Sequence, residues 1–176
     1  MKSIIDGHIH VTPALVPYLR DVRCIANADS PEEYDFLTRT QLPDMVISAG
    51  IHPWKADCTS WDAMEPILQQ VSRIGEIGLD NVWCTVDLGG WFTVGPDAAL
   101  DQDVAHLAQT VPLDRLLIES DGLDGIAWGQ HVTLTPADYP AAMERHLHTV
   151  AALRGLTADA LRSVLMHNLD TFLLGI

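Results

Sequence analysis

The sequence predicts an α/β fold of mostly parallel strands with helices outside them, in one domain spanning residues 1–176. Three observations carry that expectation. Short β-type apolar runs alternate with helix-type runs along the chain. The polar groups best suited to chemistry fall at the ends of the apolar runs, as they do where parallel strands finish on one face. The third is size: 176 residues, 48% of them hydrophobic, can bury about 70% of their unfolded surface, so a core needs no disulfide or metal staple. A closed eight-unit barrel takes about 250 residues, and this chain is short for one.

The elements follow in order. Ser3 to Val11 reads as a strand carrying Asp6, His8 and His10, and Thr12-Pro13 then opens a helix. Val22 to Ala28 is the second strand. Ser30 is an N-cap and Pro31 the first residue of a helix to about Thr38. Asp44 to Ile51 is the third strand, closed by His52-Pro53, and Thr59 or Ser60 caps a helix reaching about Val71. Arg73 to Leu79 is the fourth strand and contains Glu76. Asn81 to Leu88 has no helical stripe, and Gly89-Gly90 leads directly into a fifth strand, Gly90 to Val94. Asp97 to Thr110 has helical spacing, and Leu113 to Glu119 is a sixth strand ending in Ser120-Asp121-Gly122. Two helical stretches, Thr135 to Gly155 and Thr157 to Leu174, finish the chain.

Composition excludes several classes. Ten Lys and Arg against 24 Asp and Glu give a net charge of −14, so high-affinity nucleic-acid binding through a basic face is not expected. The three cysteines, Cys24, Cys58 and Cys84, form no CxxC pair, which argues against a disulfide framework and for a reducing compartment. The start MKSIIDGHIH lacks a secretory apolar segment, and no window is long and apolar enough to span a membrane. A cytoplasmic protein is expected.

Polar groups at strand ends are His8 and His10, then His52, Glu76 and Asp121. His8 and His10 are two apart, so on a strand they point the same way, and Asp6 shares their face. Taken singly each has a plain structural reading. An H-x-H pair can lie on a solvated strand face, and Glu76 or Asp121 can be a loop acid or a helix cap. Together they would be a costly cluster unless they coordinate something. Two imidazoles joined by carboxylates match a site for Zn²⁺ or a related divalent ion. His146 and His148 lie two apart on a helix, cannot converge, and are expected in solvent. Trp54 and Trp128 lie near the site loops and are candidates for pocket walls.

The ordered segments IDGHIHV, SAGIHPW, IGEIGLD, GGWFTVGP, VPLDRLLIESDG and HNLDTFL resemble the TatD family of metal-dependent hydrolases, which are amidohydrolase-like barrels. The resemblance implies a TIM-barrel-like (β/α) metallo-hydrolase fold, here reduced to about six mostly parallel strands with outer helices. Family members usually carry two further strands, each delivering a histidine, where this chain is internally shortened between residues 80 and 89. By the resemblance, His8, His10, Glu76 and Asp121 are metal ligands, Asp121 is the general base, and Glu76 is the carboxylate able to bridge two ions. His52 matches a histidine that contacts substrate or orients a ligand, and Glu119 is a supporting residue. With both further histidines absent, one divalent ion (Zn, Mn, Fe or Ni) is expected and no second.

Two readings follow from that resemblance. One is a hydrolase whose metal-activated water attacks a phosphoester, as in a deoxyribonuclease, or another ester or amide in a small-molecule or nucleotide-type substrate. The other is a degenerate, non-catalytic relative serving as a metal-binding or protein-interaction module. Loss of two barrel units would expose strand edges, which a homodimer would cover.

Overall fold

The computed structural model describes residues 4–52, 55, 57–75 and 90–174. Five strands lie within them: β1 (Ile4–Ile9), β2 (Val22–Ala28), β3 (Met45–Ala49), β4 (Phe92–Val94) and β5 (Leu116–Ile118). β1, β2 and β3 form one parallel sheet in that order, and β4 and β5 pair in parallel as a second. Beyond β3 an isolated parallel bridge joins Ala49 to Ile74, so the fourth predicted strand is present as a single rung within the described residues. Glu76 and the rest of that predicted strand lie outside them, as does Trp54. The chain is therefore α/β with parallel strands. Its described strands do not close into a barrel.

The two sheets meet where β5 lies against β1. Gly7 makes that approach possible: a Cβ there would stand 3.0 Å from Leu117 Cβ and 3.1 Å from both Ile118 O and Thr93 Cγ2. Asp121 N donates to His8 O at 3.2 Å, which sets the end of β5 beside the end of β1. The register of β1 against β2 shifts between Asp6 and Ile9, an irregularity at the segment carrying the histidine pair.

Among the described residues six α-helices pack around the strands: α1 (Pro31–Thr40), α2 (Trp61–Leu68), α3 (Gln102–Thr110), α4 (Gly122–Gly129), α5 (Tyr139–Leu153) and α6 (Ala158–Leu174). α1 starts where the sequence predicts, with the Ser30 side chain accepting from Glu33 N. The helix expected from Thr12-Pro13 is instead a turn followed by a 3-10 segment, Val16–Tyr18. Pro17 has no N–H to continue an α-helical ladder, which explains the change. The stretch read as one helix from Asp97 is divided. A 3-10 turn, Pro96–Ala99, precedes α3, and the Asp101 carboxylate starts α3 by accepting from Asp103 N and Val104 N. α4 was not expected.

The core gathers under β1 and β5, which α6 contacts directly and α5 reaches at β1. Asn168 on α6 is buried and donates from Nδ2 to both Leu113 O and Leu116 O at 2.8 Å, fixing the start of β5. At the far end of α6, Arg73 donates to Phe172 O at 2.7 Å and to Leu173 O, with its guanidinium 5.1 Å from the Phe172 ring centre. Trp91 meets the same ring edge-on at 5.7 Å, and Arg115 lies over Trp91.

Gly7→Ala is expected to destabilise the protein by about 1–3 kcal/mol in urea unfolding, because Ile118 O is backbone and cannot yield to a new methyl group. An unchanged midpoint would mean that the close approach of β1 and β5 is not a constraint.

Candidate metal centre

β1 carries His8 and is followed directly by His10, and the turn after β5 delivers Asp121. The alternation read from the sequence holds for the pair: His8 Nε2 and His10 Nε2 lie 3.4 Å apart, with the rings edge to face. Asp121 Oδ1 lies 3.7 Å from His8 Nε2 and 3.8 Å from His10 Nε2. Three donor atoms from two strand ends therefore converge.

The backbone that places Asp121 is unusual. Asp121 has φ 56°, in the left-handed region that non-glycine residues rarely adopt. It stands at the N-cap of α4, where an aspartate would normally accept from the first helical N–H groups, yet its side chain makes no capping bond. Ser120 Oγ accepts from Gly122 N instead, at 2.9 Å. The carboxylate is thus turned from helix capping toward the two imidazoles. Gly122 completes the turn with φ 80°, and a Cβ on it would meet His10 O at 2.8 Å.

Beneath this pair lies Asp6, fully buried. Its Oδ1 accepts from Ser120 N at 3.0 Å and His8 N at 3.2 Å, and its Oδ2 accepts from Tyr139 OH at 2.7 Å. One carboxyl group thus joins the strand carrying the histidines, the turn carrying Asp121 and the start of α5. Burial pushes its pKa up to about 6, against the opposing effect of those hydrogen bonds. Glu119 is similar: enclosure of its carboxyl, opposed by the nearby His8, pushes its pKa up to about 7.

A second polar group stands on the other side of His10. Glu33 Oε2 is 4.0 Å from His10 Nδ1 and accepts from Asp29 N at 2.9 Å. Asp29 is buried and pairs through Oδ2 with Lys55 Nζ at 2.5 Å. Burial acts to raise the Asp29 pKa, but the Lys55 hydrogen bond and charge outweigh it and hold the carboxyl below its usual range. The sequence reading missed Glu33, Asp29 and Lys55. The available signal was the Ser30-to-Glu33 spacing, which puts a carboxylate in the first turn of α1, next to the end of β2.

The other predicted residues are placed as follows. His52 follows β3, is half-buried, and accepts Lys55 N on its carbonyl; it belongs to neither cluster. Trp128 is near the end of α4 and 78% exposed. Glu76 and Trp54 lie outside the described residues. His146, expected in solvent, is buried on α5 and donates from Nε2 to Val94 O at 2.8 Å, and its burial lowers its pKa. The face of α5 turned toward β4 includes it, whereas His148 is exposed beside Glu144.

Compared with known proteins, the chain matches no family model and no curated sequence. No helix among the described residues is long and apolar enough to cross a membrane.

Asp6→Ala leaves Ser120 N, His8 N and Tyr139 OH without their buried acceptor and is expected to cost about 2–4 kcal/mol in urea unfolding. Asp6→Asn keeps an acceptor for both N–H groups and should cost less. Because the folded pKa near 6 is above that of an unfolded aspartate (~3.9), the folded chain binds more protons between these values. The contribution of Asp6 to stability is therefore fullest below about pH 4 and falls as pH rises through 6. The D6N variant should lose that part of the slope of unfolding midpoint against pH; an identical slope in both proteins would contradict it.

Proposed function

We propose that this chain is a metal-dependent hydrolase of the TatD-related type, using one divalent ion held by His8, His10 and Asp121, with Glu76 as a further ligand. The observation that carries the reading is the convergence of two imidazole nitrogens and a carboxylate oxygen that gives up helix capping to face them. Their separations of 3.4, 3.7 and 3.8 Å fit the donor set. Ligands about 2.0–2.1 Å from a tetrahedral Zn²⁺ lie roughly 3.3–3.4 Å from one another, so small side-chain shifts would bring all three onto one ion. A bound ion would supply Lewis acidity to water and to the scissile group.

The residues of the chain account for the rest. His8 and His10 fix the site to β1, and Asp6 holds the histidine strand and the Asp121 turn in register. Asp121, 54% exposed at its side chain, can reach a water and accept its proton, the role of a general base. The net charge of −14 opposes approach of a polyanion, which favours a small phosphoester, ester or amide over long nucleic acid. A non-catalytic ion-binding module is the second reading. It is favoured by the exposure of the Asp121 side chain, which leaves that donor open to bulk water.

Elemental analysis should find about one tightly bound divalent ion per chain, lost in the His8→Ala/His10→Ala variant. Absence of any ion after Zn²⁺ or Mn²⁺ is supplied would sink both readings. With metal bound, Asp121→Asn is expected to lower turnover of p-nitrophenyl phosphate or acetate by about 10²-fold or more. Metal binding without turnover of these substrates or of small amides would assign the non-catalytic module.

A further inference from the structure

We propose that Glu33 is a positioning residue for His10: it holds the imidazole proton on Nδ1, so that the Nε2 lone pair faces the ion site. The inference rests on the metal-site reading above. The two nitrogens of His10 face different groups. Nε2 looks toward His8 Nε2 and Asp121 Oδ1, and Nδ1 looks toward Glu33 Oε2. A neutral imidazole has one proton, and a ligand nitrogen must be the one without it. A carboxylate beside Nδ1 favours the required tautomer, whereas Asp121 acting alone would draw the proton to Nε2. Once a cation stands among His8, His10 and Asp121, the Asp121 charge is engaged by it, and the Glu33 charge favours a proton on Nδ1. Histidine ligands commonly use such an outer carboxylate, and losing it costs about 10–100-fold in metal affinity.

The support for Glu33 is built independently of any ion. Ser30 caps α1 and accepts from Glu33 N, while the Glu33 carboxylate reaches back to Asp29 N. Asp29 is in turn held by Lys55. The 4.0 Å from Glu33 Oε2 to His10 Nδ1 is about 1 Å longer than a charge-assisted hydrogen bond, a gap that rotation of two half-exposed side chains can close. His10, Asp29 and Glu33 could in principle hold a second ion of their own. The Lys55 ammonium is already on Asp29 Oδ2 at 2.5 Å, so a positive charge occupies that corner and would repel a divalent cation. The group therefore serves as a brace for His10.

Glu33→Gln tests this while leaving the helix start intact, because the amide oxygen can still accept from Asp29 N. That same oxygen faces His10 Nδ1, and without the carboxylate charge it holds a proton on Nδ1 less strongly. Nitrogen-15 NMR of the histidine rings, with His10 assigned by difference against His10→Gln, reads the tautomer in the ion-free protein. Calorimetric titration with Zn²⁺ reads affinity and stoichiometry. Expected for E33Q are a wild-type melting curve, a shift of His10 from Nδ1–H toward Nε2–H, and about 10–100-fold weaker Zn²⁺ binding at unchanged stoichiometry. Ser30→Ala, which weakens the same helix start but keeps the carboxylate, should lower the melting temperature and leave the tautomer alone. An unchanged tautomer with Zn²⁺ affinity within about 2-fold of wild type, well below the loss expected for an outer-shell partner, would overturn the proposal. So would a fall from two bound ions to one, which would make Glu33 a ligand. If the wild-type protein binds no Zn²⁺, the proposed function fails, and the ion-free tautomer shift alone still decides whether Glu33 orients His10.

Discussion

The buried carboxyl of Asp6 is the interaction on which the arrangement depends. β1 and β5 are neighbours without being rungs of one continuous ladder, and at their junction backbone N–H groups need acceptors. Asp6 supplies them, taking Ser120 N and His8 N on one oxygen and Tyr139 OH on the other. Burying a carboxyl group is costly, as its raised pKa shows, and three hydrogen bonds offset that cost. The consequence reaches the candidate site at once. The residues Asp6 holds are His8 itself and the immediate neighbour of Asp121.

Two helix starts then face the same region from different sides. At α1 the cap is conventional: Ser30 satisfies the helix, and Glu33, freed from that duty, projects back toward β1. At α4 the cap is displaced by one residue, with Ser120 serving Gly122 N while Asp121 takes a strained backbone and turns away. In both places a hydroxyl does the local structural work and a carboxylate is left for His8 or His10. Strain of this kind persists only where the surroundings enforce it. Here the close contact of Gly122 with His10 O and the Asp121 N–H bond to His8 O do so.

Much of this was legible in the sequence, and the failures have physical reasons. β2 and α1 could be read directly, because an apolar run and a Ser-Pro cap are local signals. The convergence of His8 and His10 followed from strand alternation alone. α4 was not legible: Gly122, Gly125 and Gly129 are poor helix formers, and tertiary packing overrides their propensity. Asp6 was read as sharing the histidines' face. Its role as a cross-brace depends on Ser120 and Tyr139, more than a hundred residues away. Glu33 was missed: the Ser30 cap places it in the first turn of α1, but its approach to His10 depends on how the ends of β1 and β2 lie side by side. His146 was misjudged because helix spacing tells which residues share a face, not which face is covered.

The ring of Phe172 has a consequence for how this molecule can change over time. Arg73, next to the outermost bridge, and Trp91, next to β4, both press on that ring. One ring of the last helix therefore ties the outermost bridge beside β3 to the start of β4. Substitutions at Arg73, Trp91 and Phe172 are therefore coupled, and selection meets the three positions as one unit.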